Sequence, residues 1–370
     1  MLLILGESRM NEETITSKQC ISVIIVTLIS SYLIWLPGIQ AGPDVWLSYI
    51  IALIWILPFL FIHDSMLKMF PGKDIFDILF LTFGKLVGSV ISLLYLCEAF
   101  VLGTVVMEDF NEVIIHSSLP ETPNLFPVLC ITLIIILIAK SGMDIIGKWS
   151  EVVIGFMVIA LVIAFLALVK DIKLNNLKPI LAQGLSPVLQ SAISFFSFPL
   201  GDVVIFNMVF TKIEYKKQTR IYTTSGILIG GIALMSAIIT ISVIGARRIS
   251  ETYFPLYVAV QRINIQQYIQ RLEILIVGLF ILGGVVKIAI CALAVSRGIT
   301  KILNFKSYKF IVTPIAFLLL NAYMLNFKNT MEYIQWDIKV APRFFTFFQF
   351  ILPFFVYISV IIKKKLLKNH

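Results

Sequence analysis

The sequence predicts an all-α polytopic membrane protein with ten transmembrane helices, and three observations predict it. Apolar residues make up 59% of the chain and charged residues 14%, whereas a soluble domain is nearer half apolar and a quarter charged. The apolar residues fall in repeated runs of roughly 20, the length that crosses a hydrocarbon core. Two of these runs, the first and the sixth, are interrupted at matching places in the two halves. That predicts a five-plus-five inverted repeat with broken helices 1 and 6, the LeuT-like arrangement.

The sixth run carries the clearest interruption. Ser194-Phe-Phe-Ser-Phe-Pro-Leu-Gly-Asp-Val-Val-Ile-Phe206 lies in the middle of an apolar stretch from Pro187 to Phe210. Pro199 cannot donate a backbone hydrogen bond, and Gly201 lets the chain leave helical geometry. Asp202 stands where a second half-helix begins, its carboxylate expected on the freed amides. Unwound backbone at membrane depth survives only inside protein or beside a cavity, so the break marks a binding site; a plain proline kink with a capping aspartate is the other reading. The first run echoes it, with Ser30, Ser31 and Tyr32 followed by Pro37 and Gly38.

The spans are expected at 17–38, 45–62, 86–107, 125–140, 150–169, 187–210, 221–244, 272–296, 308–326 and 344–362, in one transmembrane domain over 1–370. Residues 1–16 form an N-terminal tail and 363–370 a basic C-terminal tail. Residues 1–9 are too short for a secretory h-region and cleavage site; with Met10-Asn-Glu-Glu following, they read as an upstream-start extension. Of the 30 Lys and Arg, 19 fall on the side that holds both termini and 10 on the other, Lys287 being the remaining one. The positive-inside rule therefore places both termini in the cytoplasm. Lys363-Lys-Lys365 suits a surface beside anionic lipid, or serves as a simple stop-transfer anchor.

Between the spans, Ile75–Phe83 is expected as a short amphipathic helix after the Phe70-Pro-Gly-Lys-Asp74 turn. Residues 108–124 read as an acidic loop, and 246–271 as a long connection that packs as a lid, docks a partner, or is simply solvated. Gly226 through Gly231 allow close helix approach.

The formal charge of +9 resides in loops, which reads as topology and excludes a nucleic-acid footprint. Cys20, Cys97, Cys130 and Cys291 include no Cys-x-x-Cys, and His63, His116 and His370 are scattered, so no metal, cofactor or nucleophile emerges. No Ser-His pair or paired intramembrane aspartates support an enzyme.

Ionisable groups at mid-depth default to function, and Glu98, Asp202 and Lys287 are the candidates. Tyr95 and Glu98 share a face. Glu273 and Lys287 share a face but lie roughly 21 Å apart along the axis, so Glu273 reads as a vestibule residue. Glu98 and Lys287 neutralise each other or find other partners.

Ile15-Thr-Ser-Lys-Gln19, Leu36-Pro37, Phe198-Pro-Leu-Gly-Asp202, Arg271-Leu-Glu273 and Lys287 together resemble a spore germination permease, the B subunit of Ger-type nutrient germinant receptors within the amino acid–polyamine–organocation superfamily. The resemblance covers residues 10 to 365. It implies a ten-span, broken-helix transporter fold in the spore inner membrane, working with A and C subunits. Two departures stand out: Ile29-Ser-Ser-Tyr-Leu33 replaces a glycine-rich stretch, and Asp202 stands where glutamate is commoner.

A nutrient sensor that signals to partner subunits is the leading expectation; a proton- or sodium-coupled transporter of amino acids or amines is the alternative. Ser30, Ser31 and Tyr32 are expected to face Phe195, Phe198, Gly201 and Asp202 across a central cavity, with Tyr95 as one wall. Such a space suits an amino acid, sugar or nucleoside. In sodium-coupled proteins of this fold a cation bridges the first and eighth spans. Lys287 is placed to hold that position permanently, against carbonyls freed at Ile29–Ser31 or against Glu98.

Overall fold

The computed structural model describes residues 14–117, 125–214, 220–252, 254–261 and 273–368. The expected start extension, Pro120, Pro123, Arg271 and His370 lie outside them. Among the described residues, eight helices are long and apolar enough to cross a membrane, and two shorter apolar helices accompany them.

The chain opens with a strand, β1 (Thr14–Thr16), and passes directly into α1 (Ser17–Ile34). A capping box starts the helix: Gln19 N donates to Thr16 Oγ1 at 3.2 Å, and Thr16 N donates to Gln19 Oε1 at 3.0 Å. Contrary to expectation, α1 runs unbroken through Ser30 and Ser31. Thr27 Oγ1 donates to Val23 O and Ser30 Oγ to Thr27 O, so these hydroxyls are satisfied by the helix itself. Unwinding begins only at Trp35. Gly38 then takes φ 82, and a 3-10 turn (Ile39–Asp44) leads into α2 (Val45–Met69).

α3 (Ile75–Ser117) contains the expected short helix, set off by Gly84 at φ 77. Lys363 Nζ donates to Leu81 O and Thr82 O, the carbonyls this kink releases. Its far end corrects the sequence reading. Residues 108–117 continue the helix rather than forming an acidic loop, and Glu108, Asp109 and Glu112 are buried. α4 (Leu125–Ser141) and α5 (Met143–Leu168) follow.

The sixth apolar run is broken as expected. α6 (Leu185–Ser197) stops before Pro199, and Phe198 is extended at φ −140, ψ 127, as a residue preceding proline prefers. The chain resumes as a 3-10 helix (Leu200–Ile205) and one turn of α7 (Phe206–Val209). β2 (Lys212–Glu214) then pairs in parallel with β1, a strand pair the sequence reading did not foresee.

α8 (Ile221–Ile244) packs on α2, where any side chain at Gly226 or Gly230 would collide with Leu60 or Leu53. α9 (Ala246–Ser250) and α10 (Pro255–Gln261) precede α11 (Glu273–Ile302), which is buried on nearly every side and contacts α1 and α3 most extensively. α12 (Lys309–Asn326), α13 (Thr330–Lys339) and α14 (Ala341–Thr346) lead through a π-turn (Phe347–Ile351) into α15 (Leu352–Lys368).

Gly38 is required twice over: its φ is left-handed, and a Cβ there would sit 2.7 Å from Ser191 Cβ. Gly38→Ala should cost more than about 1 kcal/mol from the backbone alone, read as a lower unfolding temperature of the purified chain.

Candidate functional site

The break in the sixth run places Asp202 in the protein centre. The carboxylate does not cap the 3-10 helix, which has no side-chain cap. Lys287, fully buried on α11, takes it instead, with Nζ 2.5 Å from Asp202 Oδ2. A charged donor outcompetes a backbone amide for a buried carboxylate. The ammonium also donates to Ser31 Oγ at 3.0 Å and stands 4.6 Å from the centre of the Phe198 ring. The expected partner Glu98 is instead reached through Gln349, whose Nε2 donates to Asp202 Oδ1 at 2.9 Å and to Glu98 Oε1 at 3.3 Å. Gln349 lies in the π-turn, a geometry that often re-aims a side chain at a functional site. Gly201 makes room for it, because a Cβ there would collide with Gln349 Oε1.

Ser31, Asp202, Lys287, Glu98 and Phe198 thus converge, but side chains fill the expected central space. Ser30 is turned toward Gly283 of α11. Tyr32 meets Phe195 edge-on at 5.2 Å, and Phe195 lies flat on Tyr49 at 3.7 Å. Tyr95 is buried on α3, while Glu273 is half-buried in the first turn of α11.

The open space is further along the molecule. A cavity of about 330 Å³ lies over the two helix breaks, with Trp35, Pro37 and Gly38 on one side and Ser194, Ser197 and Phe198 on the other. Asp109 of α3 reaches it, and Glu251, Thr252 and Pro255 form a rim at α9 and α10, within the connection read as a possible lid. Amphipathic α13 covers it through Tyr333 and Asp337. Of the expected ligand contacts, Phe198 alone lines this cavity, together with the break residues Pro37 and Gly38.

Tyr333 donates its hydroxyl to Asp109 Oδ1 at 2.5 Å. Burial, with Asp109 beside it, holds the Tyr333 phenol well above its ordinary range, so it stays a donor. Burial pushes the Asp337 carboxyl up to about 6.

At the end of the molecule that carries β1 and β2, the second half of the broken helix is pinned. Arg297, which the sequence placed in a loop, is buried in α11 and donates to Val209 O at 2.7 Å. Tyr222 donates to Asn207 Oδ1 at 2.7 Å, and Asn207 Nδ2 lies 2.5 Å from His63 Nδ1. Asp64 caps α8 through the Tyr222 and Thr223 amides.

Residues 14–331 match the family model described as "Spore germination protein". The chain belongs to the spore germination protein family. Over 361 residues it is 24% identical to Spore germination protein KB of Bacillus subtilis (strain 168), covering 96% of this chain and 97% of that protein. Putative spore germination protein YfkT of the same organism is 26% identical over 330 residues, 89% of each chain. Spore germination protein A2 is 26% identical over 264 residues, 69% of this chain and 71% of its own. The family consists of membrane receptor and transporter proteins rather than enzymes. This member is an integral multi-pass membrane protein, as its apolar helices require.

Lys287→Met should leave the Asp202 carboxylate buried without its cation, at a cost of about 3–5 kcal/mol. Adding Asp202→Asn should recover most of the loss. Thermal unfolding of the wild type and the two purified variants checks this, and equal stability of Lys287→Met with wild type would remove the pair from its structural role.

Proposed function

We propose that this chain is a permease-like subunit of a nutrient germinant receptor in the spore inner membrane, binding a small solute and signalling to A and C partner subunits. Ten crossings, an inverted repeat and cytoplasmic termini complete this reading. The observation that carries it is the cavity floored by Phe198. The Phe198 ring separates that space from Lys287, so an occupant would bear on the residue that covers the central charge pair. The relatives named KB and A2, both spore germination proteins, support the assignment to a receptor.

Lys287 occupies the place between α1, α11 and the broken helix where a transported cation would otherwise neutralise Asp202. Germinant response should therefore be independent of sodium, checked by germination in sodium-free potassium and choline buffers; a sodium requirement would count against a fixed lysine counter-ion.

The receptor reading is tested in spores. Phe198→Ala should shift the nutrient dose–response by tenfold or more at unchanged membrane abundance of the chain. An unshifted response, or uptake of labelled amino acid by vesicles holding this chain alone, would favour a transporter instead.

A further inference from the structure

The cavity over the helix breaks has a one-sided charge. Asp109 and Asp337 both line it, and neither belongs to an ion pair among the described residues. Glu251 at the rim is already met by Arg247 at 3.6 Å on the exposed side. Among the described residues, no Lys, Arg or His lines the cavity. Asp109 is only 2% exposed, with one oxygen held by Tyr333. Lys287 cannot come outward to neutralise it, because its ammonium is bound to Asp202 and Ser31 behind the Phe198 ring.

The walls between these carboxylates are aromatic. Trp35 stands edge-to-face on Tyr333 at 6.0 Å and on Phe254 at 5.7 Å, which fixes the indole at the mouth of the α1 break. Among the described residues no cation meets these desolvated carboxylates, so a bound ammonium would supply the positive charge in place of a proton. A neutral polyol would leave them uncompensated, and an anion would be repelled. The volume, about 330 Å³, suits a compact solute rather than a peptide.

We propose that this cavity binds the ammonium group of a small amine or amino acid, with Asp109 and Asp337 as its counter-ions and Trp35 and Tyr333 as its walls. The proposal rests on the receptor reading for its biological role, and on the cavity alone for its chemistry. It moves the recognition of positive charge from the central Asp202, which is already paired, to two acids that have no cation partner among the described residues.

The test uses the purified full-length chain and three small probes at one ionic strength: L-alaninamide (a monocation), D-glucose (neutral) and L-lactate (an anion). L-Alaninamide should raise the unfolding temperature in a saturable way, while glucose and lactate should not. Asp337→Asn should weaken the apparent affinity for L-alaninamide at least tenfold, and Asp337→Glu should restore most of it. Asp109→Asn should act in the same direction; because Asp109 is packed in α3, the half-buried Asp337 decides the matter if that variant does not fold.

Absence of a shift with L-alaninamide, an unchanged affinity in Asp337→Asn, or preference for glucose or lactate would each overturn the proposal. Spores lacking the chain separate the two readings. If they keep every nutrient response while L-alaninamide binding is intact, the receptor role fails and the ammonium site stands. If they lose a response while binding ignores charge, the site fails and the role stands.

Discussion

A lysine and an aspartate, both removed from water and from lipid, hold the centre of this molecule together. The cost of burying two ions is several kcal/mol each, offset only when geometry and additional hydrogen bonds are good. Much of the unusual local chemistry serves that geometry. Pro199 stops α6, and the tighter 3-10 helix that follows carries Asp202 inward. The π-turn aims Gln349 at the second carboxylate oxygen, and the bare Gly201 leaves space for its amide. Gly283 lets α1 lie close against α11 near Ser30, one residue from the Ser31 hydroxyl that Lys287 reaches. Five segments distant in sequence are therefore fixed by one charge pair.

The two ends of the broken helix are treated differently. Its second half is fastened by Arg297, Tyr222 and Asn207 through hydrogen bonds to backbone and side chain. Its first half ends at Phe198 beneath a cavity roofed by α13 and flanked by α9 and α10. Space is available on one side of the charge pair and hydrogen bonds close the other.

The apolar runs and the break at Pro199 were legible in the sequence because both are local. Run length needs only hydropathy, and the break needs only the backbone chemistry of proline and the residue before it. Partner choice was not legible. Lys287 and Asp202 are 85 positions apart, and the sequence offered Glu98 or freed carbonyls as the partners of Lys287, with Asp202 as a helix cap. The cavity acids were hidden differently: the onset of charge after Met107 imitates the end of a span, although the helix continues and Tyr333, 224 positions away, shelters Asp109. Arg297 was assigned to a loop for the same reason. An amide in a run of phenylalanines was the available signal for Gln349, since nothing apolar is gained by placing it there.

The short parallel ladder between Thr14–Thr16 and Lys212–Glu214 has a mechanical consequence. It is attached at one end to α1, without any linker, and at the other to the chain leaving the second half of the broken helix. Rotation of that half-helix must either shear three residue pairs or drag the start of α1 with it. Any such rotation would therefore be coupled to the first turn of α1 through this ladder.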